Sequence, residues 1–139
     1  DGYDPRVRTR IERGAAMQAH EYVRLLWARQ DWIARVDRSV AGFDALLSPT
    51  TPLVAPPLAS LAPADGRDAA QDAARDAEFF RVNGLMLRNT SAVNMLDGCA
   101  LSLPCHAPGE LPVGLMLWST AGRDDTVLNL GLQVEAALR

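Results

Sequence analysis

The segment Thr90–Ser119, TSAVNMLDGCALSLPCHAPGELPVGLMLWS, decides how the rest of the chain is read. It holds two apolar runs, Cys99–Leu103 and Val113–Trp118, separated by a loop containing Pro104, Pro108, Gly109 and Pro112. Continuous apolar character is the mark of a strand covered on both faces, as in the middle of a helix-covered sheet. The connector, Pro104 to Leu111, is too short for a crossover helix and long enough for an antiparallel hairpin with a wide loop. The pattern predicts a hairpin over 98–119.

Working outward, Asp124 is an expected N-cap for a last helix within 120–139, carrying Val127, Leu128, Leu130, Leu132, Val134 and Leu138. Upstream, 78–97 reads as a helix to about Leu87, weakened by Gly84, then a polar bend at Arg88-Asn89-Thr90-Ser91. The stretch 49–77 reads as a Pro/Ala-rich loop. Its first part holds five of the nine prolines, and its second part is rich in Ala, Asp and Arg with little to bury, so poor order is expected there. A short strand is expected at 44–48, ended by Pro49. The first 43 residues are helical: Asp4-Pro5 is a start signal for a helix to about Arg13, which Gly14 interrupts. A longer helix follows from Ala15 to Val40, with Gly42 as its stop. Trp27 and Trp32 fall off its apolar stripe. The whole is an α/β arrangement of one segment, with few strands and flanking helices.

Length and composition narrow the function. At 139 residues and 48% hydrophobic, one core suffices. No apolar run approaches the ~18–20 residues that span a bilayer, so no membrane partner is expected. A net charge of −3 argues against a nucleic-acid surface. Arg6, Arg8, Arg10 and Arg13 form a local basic cluster that reads as a solvated helix face. Six residues of extended chain place Cys99 and Cys105 ~20 Å apart, beyond disulfide reach; both read as reduced thiols of a cytoplasmic protein. No cofactor is implied. The chain begins at Asp1 with no Met and reads as a fragment.

A resemblance organises these observations. Asn94 and Gly98, the strand ending Leu103-Pro104-Cys105, and Leu111-Pro112-Val113-Gly114-Leu115 are similar to the C-terminal end of the amidase-signature family. Asp44-Ala45-Leu46-Leu47-Ser48-Pro49-Thr50-Thr51-Pro52 with Ala55-Pro56 resembles that family's strand and Pro-Thr-x-Pro turn, and Asp4–Arg8 with Arg10-Ile11 and Gly14 resembles the preceding helix. The resemblance implies the C-terminal part of the amidase-signature fold, with mixed-sheet strands and flanking helices. It also implies a parent enzyme that hydrolyses a small-molecule carboxamide to acid and ammonia through an acyl-serine intermediate. Two departures stand out: the family's usual Gly-x-Pro-Ala before the strand is here Gly98-Cys99-Ala100, without the Pro, and His106 stands where a Gly is usual.

The family's reaction uses a Ser–cis-Ser–Lys triad. All fourteen basic residues here are Arg. A guanidinium, with a pKa above ~12, is no base near neutrality, and the Gly-Ser-Ser-Gly type of run is missing. No catalytic residue is therefore expected in this segment, and the isolated segment is expected to be inactive. The resemblance places Thr90, Ser91 and Asn94 along the acyl pocket as substrate-binding residues; turn chemistry, with these side chains bonded to nearby backbone, is the competing reading. Cys105 and His106 read as structural, since adjacent residues of an extended strand point to opposite sides. Zinc ligands at workable spacing are lacking. The alternative function is a non-catalytic helical module that associates through Trp27 and Trp32, with homo-oligomerisation possible.

Overall fold

The computed structural model describes residues 2–63 and 65–138. Asp1, Ala64 inside the expected loop and Arg139 at the end of the expected last helix lie outside the described residues. The element order is α1 (Pro5–Ala15), α2 (Ala19–Val40), β1 (Leu46–Pro49), a 3-10 turn (Leu58–Leu61), α3 (Ala69–Met95), β2 (Cys99–Pro104), β3 (Gly114–Ser119) and α4 (Asp124–Leu138).

The expected hairpin forms. β2 and β3 pair antiparallel from Cys99 opposite Ser119 to Pro104 opposite Gly114, and β1 pairs antiparallel with the other edge of β3, giving the order β1-β3-β2. Directly opposed residues share a face. One face carries Leu101 and Leu103 of β2 and Leu117 of β3, which pack on Val127, Leu130 and Val134 of α4. The other carries Ser48, Met116 and Ser102 in one cross-strand row. Only the central strand meets the expectation of burial on both sides: Met116 and Leu117, on opposite faces, are 3% and 2% exposed. β2 alternates, with Ala100 and Ser102 exposed, because it is an edge strand. β1 runs one residue past its expected end. A Pro is tolerated at that position because an edge strand has one row of amides that needs no partner.

Among the helices, α1 starts as expected: the Asp4 carboxylate accepts from Arg6 N at 2.8 Å and Pro5 takes the first position. It continues through Gly14 to Ala15, so the break before α2 lies at Ala16–Gln18. There the Glu21 carboxylate accepts from Gln18 N at 2.9 Å. Asp124 is the first residue of α4 and not its cap, since Val127 N donates to the carbonyl of Arg123 at 3.0 Å. Asp124 and Asp125 thus place negative charge in the first turn, where the helix dipole favours it.

The largest correction concerns 69–91. Residues 69–77 of the stretch expected to be poorly ordered and the whole of the expected polar bend are parts of one 27-residue helix, α3. Its start is built from carboxylates. Asp68 accepts from Ala70 N at 2.9 Å and Gln71 N at 3.1 Å, and Asp72 accepts from Asp65 N at 3.1 Å and Gly66 N at 2.9 Å. Glu78 and Arg81, one turn apart, form two hydrogen bonds of 2.7 Å. That bonding holds the Glu78 carboxyl below its ordinary range.

The proline-rich segment is tied down by Arg6. Its guanidinium donates to Asp76 at 2.7 Å and to the carbonyls of Leu61 at 3.0 Å and Ala62 at 3.1 Å, and it lies 4.2 Å from the centre of the Phe79 ring. The reading of α1's arginines as a solvated face fails for Arg6, whose side chain is 10% exposed.

α3 ends in a Schellman motif. Gly98 N donates to Val93 O at 3.0 Å and Asp97 N to Asn94 O at 3.2 Å, with Asp97 at φ 54° in the left-handed position usually held by Gly. Arg29 of α2 pairs with the Asp97 carboxylate. No described helix is long and apolar enough to cross a membrane.

Candidate functional site

Because α3 is unbroken, Phe80, Asn83, Gly84, Leu87, Arg88 and Ser91 fall at helical spacing i, i+3, i+4, i+7, i+8 and i+11, which is one face. Arg10 and Arg13 of α1, themselves three apart, lie opposite. Together these residues line an open cleft of about 390 Å³. Arg10 Nη1 donates to Asn83 Oδ1 at 3.0 Å, tying the two walls together. Arg88 Nε donates to Asn89 Oδ1 at 3.3 Å, and Asn89 Nδ2 donates to the carbonyl of Pro49 at 2.8 Å, so this end of the cleft is fixed to the end of β1. A Cβ at Gly84 would have no atom within 4 Å. The helix surface is therefore bare there.

Of the three residues expected along the pocket, the structure brings only Ser91 to this cleft. Thr90 Oγ1 donates to the carbonyl of Leu87 at 3.2 Å, a bond back into the preceding turn, and Asn94 contributes its carbonyl to the end of α3. Arg10, Arg13 and Arg88 were not expected there. Their signal was the threefold spacing on α1 together with the 80–83–84–87–91 periodicity, which the expected bend at 88–91 concealed.

The other polar candidates are structural. Cys105 N donates to Val113 O at 3.0 Å, the Cys105 thiol lies 3.5 Å from that same carbonyl, and Val113 N donates to His106 Nδ1 at 3.3 Å. Both side chains thus close the neck of the β2–β3 loop. Cys99 and Cys105 are free thiols. Thr50 Oγ1 and Ser102 Oγ share a hydrogen bond of 2.5 Å, and a Cβ at Gly114 would lie 2.6 Å from each oxygen. Gly114 therefore permits Thr50, just past the end of β1, and Ser102 of β2 to bond across the central strand. Among the described residues no three His, Cys, Asp or Glu side chains gather as a metal site.

Residues 1–128 match the amidase family. The chain belongs to that family. Its relatives include a 2-amino-5-chloromuconic acid deaminase of Comamonas testosteroni, 27% identical over 136 residues, covering 97% of this chain and 27% of the relative. A 6-aminohexanoate-cyclic-dimer hydrolase of Paenarthrobacter ureafaciens is 31% identical over 99 residues, covering 70% of this chain and 20% of the relative. A glutamyl-tRNA(Gln) amidotransferase subunit of Streptomyces coelicolor is 28% identical over 143 residues, covering 98% of this chain and 26% of the relative. A crystal structure of an amidase superposes with a TM-score of 0.70 at 30% identity, covering 99% of this chain and 30% of that one. This amidase-family chain thus spans a fifth to about a quarter of the length of those curated relatives.

Proposed function

We propose that this chain is the C-terminal part of an amidase that hydrolyses a small-molecule carboxamide to the acid and ammonia through an acyl-serine intermediate. The family match over 1–128 carries the reading, and the fold shared with a solved amidase supports it. In this reading the nucleophilic serine, the bridging serine, the lysine base and the donors that stabilise the tetrahedral oxyanion come from the remainder of the domain. The segment supplies the hairpin, the helices packed on it and one wall of the acyl pocket, Ser91 included. Thr90 and Asn94 act from behind that wall by holding the shape of α3.

The partner is a small-molecule amide and not nucleic acid, and the protein works in the cytoplasm, where Cys99 and Cys105 stay reduced. The named relatives act on different molecules, so the family alone leaves the acyl group open.

Ammonia release from simple aliphatic amides by the full-length enzyme, with hydroxamate formed when hydroxylamine is added, tests the acyl-serine route. The 139-residue chain by itself is expected to release none. Turnover by the isolated chain, surviving repurification, sinks the reading.

A further inference from the structure

Arg10, Arg13 and Arg88 line one cleft, and among the described residues no carboxylate pairs with any of them. Arg6, Arg8, Arg29, Arg75, Arg81 and Arg123 pair with carboxylates, whereas Arg24, Arg35, Arg38 and Arg67 have none among the described residues either; what sets Arg10, Arg13 and Arg88 apart is that they converge on one concavity. Like charges gathered in one concavity raise its positive potential and draw an anion into it. Only part of their donor capacity is used within the protein: Arg10 gives one bond to Asn83 and Arg88 a long one to Asn89. Each guanidinium has five N–H donors in a planar fork, the shape that grips a carboxylate through two parallel bonds.

The remaining lining suits a short carbon chain behind such a group. Phe80 and Leu87 offer apolar walls, Gly84 leaves the helix surface bare, and Ser91 adds a hydroxyl at the same face. The cleft's 390 Å³ lies in the lower part of the ~300–1,000 Å³ range of small-molecule sites.

We propose that this cleft recognises a carboxylate on the acyl portion of the substrate, so that the enzyme's substrates are monoamides of short dicarboxylic acids. This assignment rests on the amidase reading above. Arg10 and Arg88 bind the carboxylate; Arg13 reinforces the field around it. The step hydrolysed is unchanged: water cleaves the C–N bond of the monoanionic amide, giving the dicarboxylate and ammonium, the nitrogen leaving with the proton released by the new carboxyl group.

The test uses the full-length enzyme with glutaramate and with pentanamide, which has the same carbon count but no charge. The expected result is a kcat/KM higher for glutaramate by about tenfold or more, carried mainly by KM, as for loss of a charge-assisted hydrogen bond. Arg10→Met and Arg88→Met each collapse that preference, and Arg→Lys at either position restores part of it. Glutarate inhibits competitively, and more weakly as salt is raised. Glutarate affinity by calorimetry provides a readout that needs no turnover, and circular dichroism identifies any variant that has lost its fold. Equal use of both amides, a preference that survives the Arg→Met changes, or inhibition by inorganic phosphate as strong as by glutarate overturns the assignment. Turnover of pentanamide without preference removes this site and leaves the amidase reading. Turnover of neither amide, with glutarate still bound, removes the amidase reading and leaves a carboxylate site.

Discussion

Gly98 and Gly131 both bring backbone close to a neighbour, but what each meets differs. A Cβ at Gly98 would stand 2.5 Å from the carbonyl oxygen of Ser119 and 3.1 Å from Val93 Cγ1, while one at Gly131 would meet Leu101 Cδ2 at 2.2 Å. The Ser119 carbonyl belongs to the central strand and cannot retreat without moving the sheet, whereas the tip of a leucine can change rotamer. Gly98→Ala is therefore expected to destabilise by roughly 1–3 kcal/mol, the range for overpacking. Gly131→Ala is expected to stay within about 1 kcal/mol of wild type, because the helix propensity gained on replacing Gly offsets the rotamer cost. Chemical denaturation of both variants checks the contrast, and equal losses would show that the Gly98 corner yields. At this scale the sequence was informative where a residue's own backbone chemistry decided its role. Gly98 and Gly114, both in the stretch that resembles the family's, turn out to be positions of close approach. Ser91 is placed along a pocket only by the family resemblance; Arg10 and Arg88 needed the helix geometry first, since their cleft exists only when 80 to 91 are continuous.

Elements held together by burial were legible, and the one held by polar contacts was not. β2, β3 and α4 announce themselves through Leu101, Leu103, Leu117 and Val127, whose packing is the hydrophobic core. The first turns of α3, Ala69 to Ala77, hold no large apolar residue, and composition alone argues for disorder. They fold because aspartates satisfy amides at the helix start and because Arg6 reaches across from α1. Such a contact pairs residues 70 positions apart, and no local pattern encodes it. Arg6→Met removes donors from Asp76, Leu61 and Ala62 together. The expected cost is about 1.5–3 kcal/mol for hydrogen bonds to and from charged groups, concentrated in faster amide hydrogen exchange over 69–76. Unchanged exchange there would mean that the aspartate caps suffice without α1.

For the molecule as a whole, surface left uncovered is as informative as surface buried. α2 exposes Tyr22, Leu25, Leu26 and Trp27, the last at 67%, while Trp32 is only half-buried, and the α2 face beside Met17 and Met95 forms a mainly apolar hollow of about 610 Å³. Contiguous apolar surface of this kind marks contact with other protein. β1 and β2 are the edges of a three-stranded sheet with exposed positions along both. An amidase of the relatives' length has most of a domain with which to cover these faces; the 139 residues by themselves have only each other. The isolated chain is therefore expected to self-associate through α2, with a weight-average mass in sedimentation equilibrium that rises with concentration. Trp27→Ser removes the most exposed aromatic of that helix and should shift the distribution toward monomer, whereas Trp32→Ser, at a half-buried position, should cost stability before it changes association. A wild-type chain that remains monomeric at high concentration would show that α2 and the sheet edges are tolerated in water, and would weaken the view that this face is built to meet the rest of an amidase domain.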